Sequence, residues 1–464
     1  MIEEALTQTT DTRRWRRLGG EMTKRSLDWW QWETLLVTMG GYALYYIVRK
    51  NLSFAMPLLG EIGVSKVQLG AFLTAGGLLY GLARFTNGVL TDRSSARKVM
   101  SFGLFVCGVL NAVFGMSDIL ATGGAAPAVA KGTAAAAGLV WTMGIVWILN
   151  SYFQGMGVGP CVKTLPLWFP PDKLATKQSI WNLSHSIGAG GVFALLGWWI
   201  IPQYQSWRLC FLVPAGIAIA GAVGLFFAMK DSPEDVGLPA VSGRKAQVVR
   251  TKEESAAYKK FIRDHVLRNP CIWILAISNF FMNMVRFAAL DWGPTLLVES
   301  KGLTLAAATT LCFTFEIVGG NLGMIAAGWA SDRLFASRTH RTCVVCFIGV
   351  ALAAAAFWAV PASAPLAAKL LPFALIGFFI YGPQALLGIA STQQATPKAA
   401  ASANGVLGIC GYLSTIVSGI GFGWMAQRWG WSSVYATILV AAVAGGLVVL
   451  MMWNAPAERR ETEE

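Results

Sequence analysis

Long apolar stretches recur along this chain from Trp32 to Trp453, broken by short polar loops and one longer one. A helix needs about 20 mostly apolar residues to cross a bilayer. In lipid the backbone must also satisfy its own hydrogen bonds, so such stretches read as membrane-spanning helices. Hydropathy and loop breaks place six of them near residues 33–58, 68–91, 97–117, 134–160, 176–202 and 207–229. A second six follow near 270–298, 303–331, 341–361, 367–390, 398–427 and 432–454. Charged residues make up 13% of the chain, about half the share of a soluble domain, which excludes a large aqueous core. The expected fold is an all-α membrane protein of twelve transmembrane helices, with the lipid bilayer as its solvent.

The net charge of +13 would suit a nucleic-acid partner if it formed one patch, but it alternates along the chain. One set of loops holds Arg13, Arg14, Arg16, Arg17, Lys24 and Arg25, then Arg93, Arg97 and Lys98, then Lys173 and Lys177. The same set takes the basic middle loop and Arg333, Arg338 and Arg341, while the other loops carry singles such as Lys66, Arg208, Lys301, Lys369 and Arg428. Basic loops stay in the cytoplasm. Both termini and the middle loop are therefore expected there, with no nucleic acid bound. The implied segments are a cytoplasmic tail over 1–32, a six-helix half over 33–230, a cytoplasmic linker over 231–268, a second half over 269–455 and a tail over 456–464. The end of the linker, from Glu253, has the pattern of an amphipathic surface helix. The basic start followed by an apolar stretch suggests a signal peptide, but that stretch runs about 25 residues into charged helix, so it reads as an uncleaved first span. Eight cysteines lie scattered, mostly in apolar spans, and Cys343 and Cys346 read as small packing residues.

The two halves repeat. GVLTDRSSARK from Gly88 and GWASDRLFASR from Gly328 place Asp92–Arg93 and Asp332–Arg333 240 residues apart, each after the second span of its half. Parallel six-helix repeats joined in this way resemble the major facilitator superfamily, whose halves rock about a site near the midplane.

Four basic residues fall inside spans: Arg49, Lys50, Arg84 and Arg286. A charge near the bilayer centre costs at least roughly 2.5–3.5 kcal/mol on insertion scales, so it faces a cavity and has a task. Arg49 and Arg286 occupy the first and seventh spans, in comparable places of the two halves. Each planar guanidinium matches two phosphate oxygens and stays charged, so a facing pair suits a phosphate dianion. Lys50 is expected to pair with the intramembrane acids Asp291 or Glu316. His185 either donates to phosphate or bonds a neighbouring helix. Tyr42, Tyr46, Tyr80, Tyr152, Trp181, Tyr381 and Tyr412 either line the cavity or pack. No metal-ligand cluster, phosphate-cradling glycine loop or nucleophile elbow is present in the sequence, and the three histidines lie far apart. An enzyme is therefore not expected, and no metal or cofactor is implied.

Five segments resemble the organophosphate:phosphate antiporter family: YYIVRKNLSFAMPLL from Tyr45, NSYFQGMGVGPC from Asn150, WNLSHSIGAGG from Trp181, VRFAALDWGPTLL from Val285 and YGPQALLGIA from Tyr381. The likeness runs from about Gly40 to Trp431. It implies that Arg49 and Arg286 are the family's paired phosphate-binding arginines and that His185 is its fifth-helix substrate histidine. Arg84 stands where the family's glycerol-phosphate transporter has a lysine. Tyr46, Tyr80, Trp181, Tyr381 and Tyr412 match cavity aromatics there, and Tyr152 replaces a tryptophan. The family's hexose-phosphate transporter carries an Asp and a Lys in its eleventh helix, whereas this chain has no charge there before Arg428.

The resemblance implies rocker-switch exchange of cytoplasmic inorganic phosphate for an external phosphate ester, such as a hexose 6-phosphate or glycerol 3-phosphate. Lys50, Asp291 and Glu316 would form the ion-pair network that gates it, in a monomer of a bacterial inner membrane. The alternative is a sugar-phosphate receptor of the same fold with little transport, signalling through a histidine kinase partner. A facilitator for another anion and a drug exporter are further competitors.

Overall fold

The computed structural model describes residues 20–122, 137–241, 260–395 and 399–456. The basic amino end before residue 20, Lys131, most of the middle loop with the start of its expected amphipathic helix, and residues 457–464 lie outside the described residues.

Among the described residues, twelve long helices build a bundle. The first half has α1 (Gly20–Glu61), α2 (Lys66–Arg93), α3 (Ala96–Gly115), α4 (Ala137–Gln154, continued by Val158–Trp168), α5 (Thr176–Tyr204) and α6 (Leu209–Ala228). The second has α7 (Pro270–Asp291, continued by Gly293–Lys301), α8 (Leu305–Leu334), α9 (Thr339–Ala359), α10 (Leu366–Ala395), α11 (Ser402–Trp429) and α12 (Trp431–Leu450). Among the described residues there is no strand. Nine of the helices, α3 and α5 to α12, are long and apolar enough to cross a membrane. Helices α1, α2 and α4 are less apolar because they carry Arg49, Lys50, Arg84, Asn150 and Gln154. Trp141, Phe227, Ile325, Leu352, Val440 and Leu447 are exposed on the outside of the bundle, an apolar surface that suits hydrocarbon rather than water.

Helix ends follow local chemistry. Ser65 and Gln68 cap the start of α2 reciprocally, which satisfies two orphan amides. Asn269 caps α7, with Pro270 at its first position. Gly302 and Gly430 have φ of 62° and 77° and end the α7 extension and α11, a left-handed backbone that only glycine adopts without strain. The two Asp–Arg motifs close α2 and α8 just before short turns. Lys163 Nζ donates to the carbonyls of Thr91 (2.8 Å) and Ser94 (2.7 Å) at the first turn. At the second, Asp332 accepts from Ser337 Oγ at 3.3 Å. Wide π-type turns interrupt α5 at Phe193–Ile200, α8 at Thr314–Gly319 and α11 at Ile416–Gly421; such turns bend helices and gather near functional sites. Cys343 and Cys346 are free and buried in α9.

Within the halves, α3 packs on α6 and α1 on α5, while α9 packs on α10 and α12 and α7 on α11. Between the halves, α2 meets α11, α1 meets the α7 extension and α5 meets α8. Bonds that join the halves crowd the face away from the linker. Lys66 Nζ lies 3.0 Å from Glu299 Oε2, and the Val67 amide donates to Gln427 Oε1 at 3.3 Å. Thr74 Oγ1 donates to the Thr415 carbonyl (2.7 Å) and accepts from the Ile420 amide (2.9 Å). The rings of Trp198 and Phe313 pack at a tilt of 54° with centroids 5.2 Å apart.

Candidate functional site

A cavity of about 760 Å³ lies between the halves. On α1, Tyr42, Tyr46, Arg49 and Ser53 face it, one helical stripe at intervals of three and four residues. Tyr80 and Arg84 reach it from α2, Trp181 and His185 from α5, Arg286 and Asp291 from α7, and Tyr412 from α11. The fixed charges on its wall are Arg49, Lys50, Arg84 and Arg286 against the single carboxylate of Asp291. Arg84 and Val158 also line a second hollow of about 340 Å³, which reaches Asp92 and Lys163 at the α2–α3 turn. The cavity thus continues toward the linker face.

Among the described residues, none of the three guanidiniums forms an ion pair with an acid. Arg49 Nε donates to Gln154 Oε1 at 3.2 Å, and its carbon lies 4.5 Å from the Tyr80 ring centroid and 4.9 Å from that of Tyr46. Such cation–π contacts stabilise a desolvated cation by about 2 kcal/mol or less while leaving its outer N–H groups to a ligand. Arg49 Nη2 is buried with no hydrogen-bond partner among the described residues. Arg84 Nη1 reaches Tyr412 Oη at 3.5 Å, and Tyr412 packs edge-on against Tyr80 at 5.6 Å. Arg286 lies 5.2 Å from the Tyr381 ring, and its Nε is buried and unpartnered among the described residues. A buried donor without an acceptor costs about 1–3 kcal/mol, more when charged. The two buried, unpartnered donors of Arg49 and Arg286 can be relieved together, with Arg84 beside them, by one acceptor-rich anion.

Lys50 does meet Asp291, at 3.8 Å across the two halves, with both side chains mostly buried. Glu316 makes no ion pair within 4 Å among the described residues but lies beside Lys50. It lies in the π-type turn of α8 and lines a narrow hollow with Lys50, Pro294 and Cys312, outside the main cavity.

Two aromatic residues singled out from the sequence do not line the cavity. Tyr381 is buried behind Arg286 and backs its guanidinium. Tyr152 packs on Phe153 at 5.4 Å, and its carbonyl accepts from Asn87 Nδ2 at 3.0 Å. One helical step places Ser151 rather than Tyr152 on the cavity wall. Trp181 packs on Tyr42 at 5.0 Å, and His185 lies 6.3 Å from the Tyr46 ring.

Beneath Arg49 runs an amide network that charge-based reading passed over. Gln154 Nε2 and Asn150 Nδ2 both donate to the Val48 carbonyl, at 3.2 and 3.1 Å. Asn111 Nδ2 lies 3.2 Å from Asn150 Oδ1, and Asn51 Nδ2 donates to Asn111 Oδ1 at 2.7 Å. Because a carbonyl only accepts, Gln154 must turn its nitrogen to Val48 and its oxygen to Arg49. The sequence signal was available: Asn and Gln in the middle of apolar spans, two of them at a spacing of four.

The pattern of the Major Facilitator Superfamily matches residues 38–419. The chain is 33% identical over 420 residues to the glycerol-3-phosphate transporter of Bacillus subtilis, covering 89% of this chain and 90% of that one. It is 31% identical to the membrane sensor protein UhpC of Salmonella typhimurium, covering 94% of each. Among solved structures, a bacterial homolog of the human lysosomal transporter Spinster, inward-facing and unoccupied, superposes with a TM-score of 0.67 at 15% identity, over 91% of this chain and 95% of that one.

Proposed function

Because this chain belongs to the major facilitator superfamily, in its organophosphate:phosphate antiporter family, we propose that it exchanges inorganic phosphate for a phosphate ester across a bacterial inner membrane. The observation that carries this reading is that three arginines without acid partners among the described residues, Arg49, Arg84 and Arg286, line one cavity. Arg49 and Arg84 belong to the first half and Arg286 to the second, so an anion held by all three ties the halves together.

The basic loops put the linker face in the cytoplasm, so the cavity here opens inward and the external face is shut. Cytoplasmic phosphate reaches the arginines and is gripped by guanidinium forks suited to its oxygens. Its charge offsets the mutual repulsion of Arg49, Arg84 and Arg286, which lets the inner ends approach while the outer ends part. An empty cavity keeps that repulsion and rarely crosses, which makes transport an exchange. A ligand shifts such an equilibrium only by its difference in affinity for the two states. Lys50 and Asp291, bonded across the halves without substrate, keep the empty states near balance. The active unit is a monomer, bounded by cytoplasmic tails and the 231–268 linker.

The test uses purified protein in liposomes loaded with labelled inorganic phosphate. Efflux driven by an external ester, and lost in Arg49→Ala and Arg286→Ala, supports antiport. A second reading, a sugar-phosphate receptor, has the sensor relative in its favour. Tight binding of an ester without any efflux would replace the first reading by the second.

A further inference from the structure

The cavity has a second wall whose chemistry is opposite to that of the arginines, and phosphate leaves it unanswered. On α7, Asn279 and Asn283 stand four residues apart on the stripe that carries Arg286 one turn further on, and all three line the cavity with Gln384 of α10. Asn279 Nδ2 donates to the Leu407 carbonyl at 2.8 Å, and Asn283 Nδ2 donates to the Asn279 carbonyl at 2.9 Å. Backbone carbonyls cannot donate, so each nitrogen spends one N–H there and keeps a second, while both Oδ1 atoms remain as acceptors. The Gln384 amide has no partner among the described residues, and its Oε1 is out of reach of solvent. Space exists beside this wall: Gly408 of α11 faces the cavity, and a methyl group there would meet nothing within 4 Å.

A fully ionised phosphate only accepts hydrogen bonds, so it satisfies the guanidinium wall and none of these amide oxygens. A carboxylate tail would face them with like lone pairs. A hydroxyl donates to them. Resting on the exchange reading above, we propose that Asn279, Asn283 and Gln384 are specificity-determining residues that read the hydroxyl groups of the ester's organic part. The substrate class is then a phosphate monoester of a polyol or sugar, chosen over esters whose tail ends in a carboxylate.

The experiment measures half-saturating concentrations in phosphate-loaded liposomes for inorganic phosphate, glycerol 3-phosphate, glucose 6-phosphate, 3-phosphoglycerate and propyl phosphate. The last has the three-carbon backbone of glycerol 3-phosphate and neither hydroxyl. In the unaltered protein, the better of glycerol 3-phosphate and glucose 6-phosphate should outcompete propyl phosphate by about tenfold or more, since a site built for a hydroxyl strongly rejects an analogue lacking it. It should outcompete 3-phosphoglycerate, whose terminal carboxylate replaces a hydroxyl, in the same sense. In Asn283→Leu and Gln384→Leu, read separately, that preference over propyl phosphate should fall toward one. A preference for 3-phosphoglycerate, equal use of propyl phosphate, or a preference that survives both variants would overturn the proposal; the first two need no variant to fold. Absence of phosphate self-exchange in the unaltered protein would instead sink the exchange reading on which it rests.

Discussion

On the exchange reading, the face away from the linker is the external one and is held shut partly by one ion pair, whose removal makes a quantitative prediction. Lys66 at the start of α2 and Glu299 near the end of the α7 extension lie 3.0 Å apart, with side chains 27% and 38% exposed. Glu299 Oε2 also accepts from Trp431 Nε1 at 2.9 Å. A pair this exposed contributes about 0.5–1 kcal/mol, because water and salt screen it. At about 1.4 kcal/mol per decade, its loss raises the outward-open population about two- to fivefold. It does not throw the carrier open, because the Thr74, Gln427 and Trp198 contacts remain. The reporter is a cysteine at Ser53, a cavity position, in a background without native cysteines, modified from outside by a membrane-impermeant thiol reagent. Lys66→Ala and Glu299→Gln should each speed modification by that factor, the glutamine keeping an acceptor for Trp431. The double variant should add little to either single change, since the second removes a charge already unpaired. Molar salt should shrink the effect. Unchanged rates, or effects that add in full, would refute the role given to this pair.

Three further perturbations follow from the geometry. Arg49→Lys and Arg286→Lys should each raise the half-saturating phosphate concentration at least about tenfold, because a charge-assisted bond of the guanidinium fork is lost; labelled-phosphate exchange reads it, and normal exchange in both would end the paired-fork argument. Lys50→Met and Asp291→Asn should each destabilise the protein by about 2 kcal/mol, below the value for a fully buried pair because both groups touch the cavity; the double variant should recover most of the loss in the thermal midpoint. Arg208, partly exposed, is bonded through two nitrogens to the buried carboxylate of Asp118, so Arg208→Ala should cost about 1–2 kcal/mol, below the value for a fully buried pair, and lower the same midpoint without altering the ranking of esters.

The arginines were legible in the sequence because charge in a lipid-spanning helix is expensive and therefore conspicuous. The amides were not, because an Asn or Gln costs less in a span and its task depends on which carbonyl lies opposite. Gln154 and Asn150 stand out only once the Val48 carbonyl is seen to accept from both. Lysines misled in a different way. Lys301 and Lys369 count as loop charges in the sequence, yet both are buried. Lys301 Nζ donates to the carbonyls of Phe357, Trp358 and Val360, and Lys369 Nζ to those of Ala362 and Ala364, closing the end of α9 and the loop after it. A four-carbon stem can lie in apolar surroundings while its head finds carbonyls several residues away, and no local pattern announces which ones. Tyr381 and Tyr152 show the limit of side-chain type alone: one residue of helical phase separates the cavity wall from the packing behind it.

The two walls also bear on why exchange needs phosphate at all. Arg49 and Arg84 lie in the first half, Arg286 in the second, and the amide wall of α7 and α10 lies wholly in the second. On the proposed division, bare phosphate already bridges the halves through Arg286, so it suffices to draw them together for the return step. The organic part of an ester touches mainly the second half, so its hydroxyls add affinity and choice without being needed for closure. A hydroxyl-bearing alcohol lacking the phosphate would meet the amides alone, bridge nothing, and neither cross nor drive efflux. On that reading α1 and α2 give up the apolarity of ordinary spans because polarity spent there binds the one group that every transported anion would share.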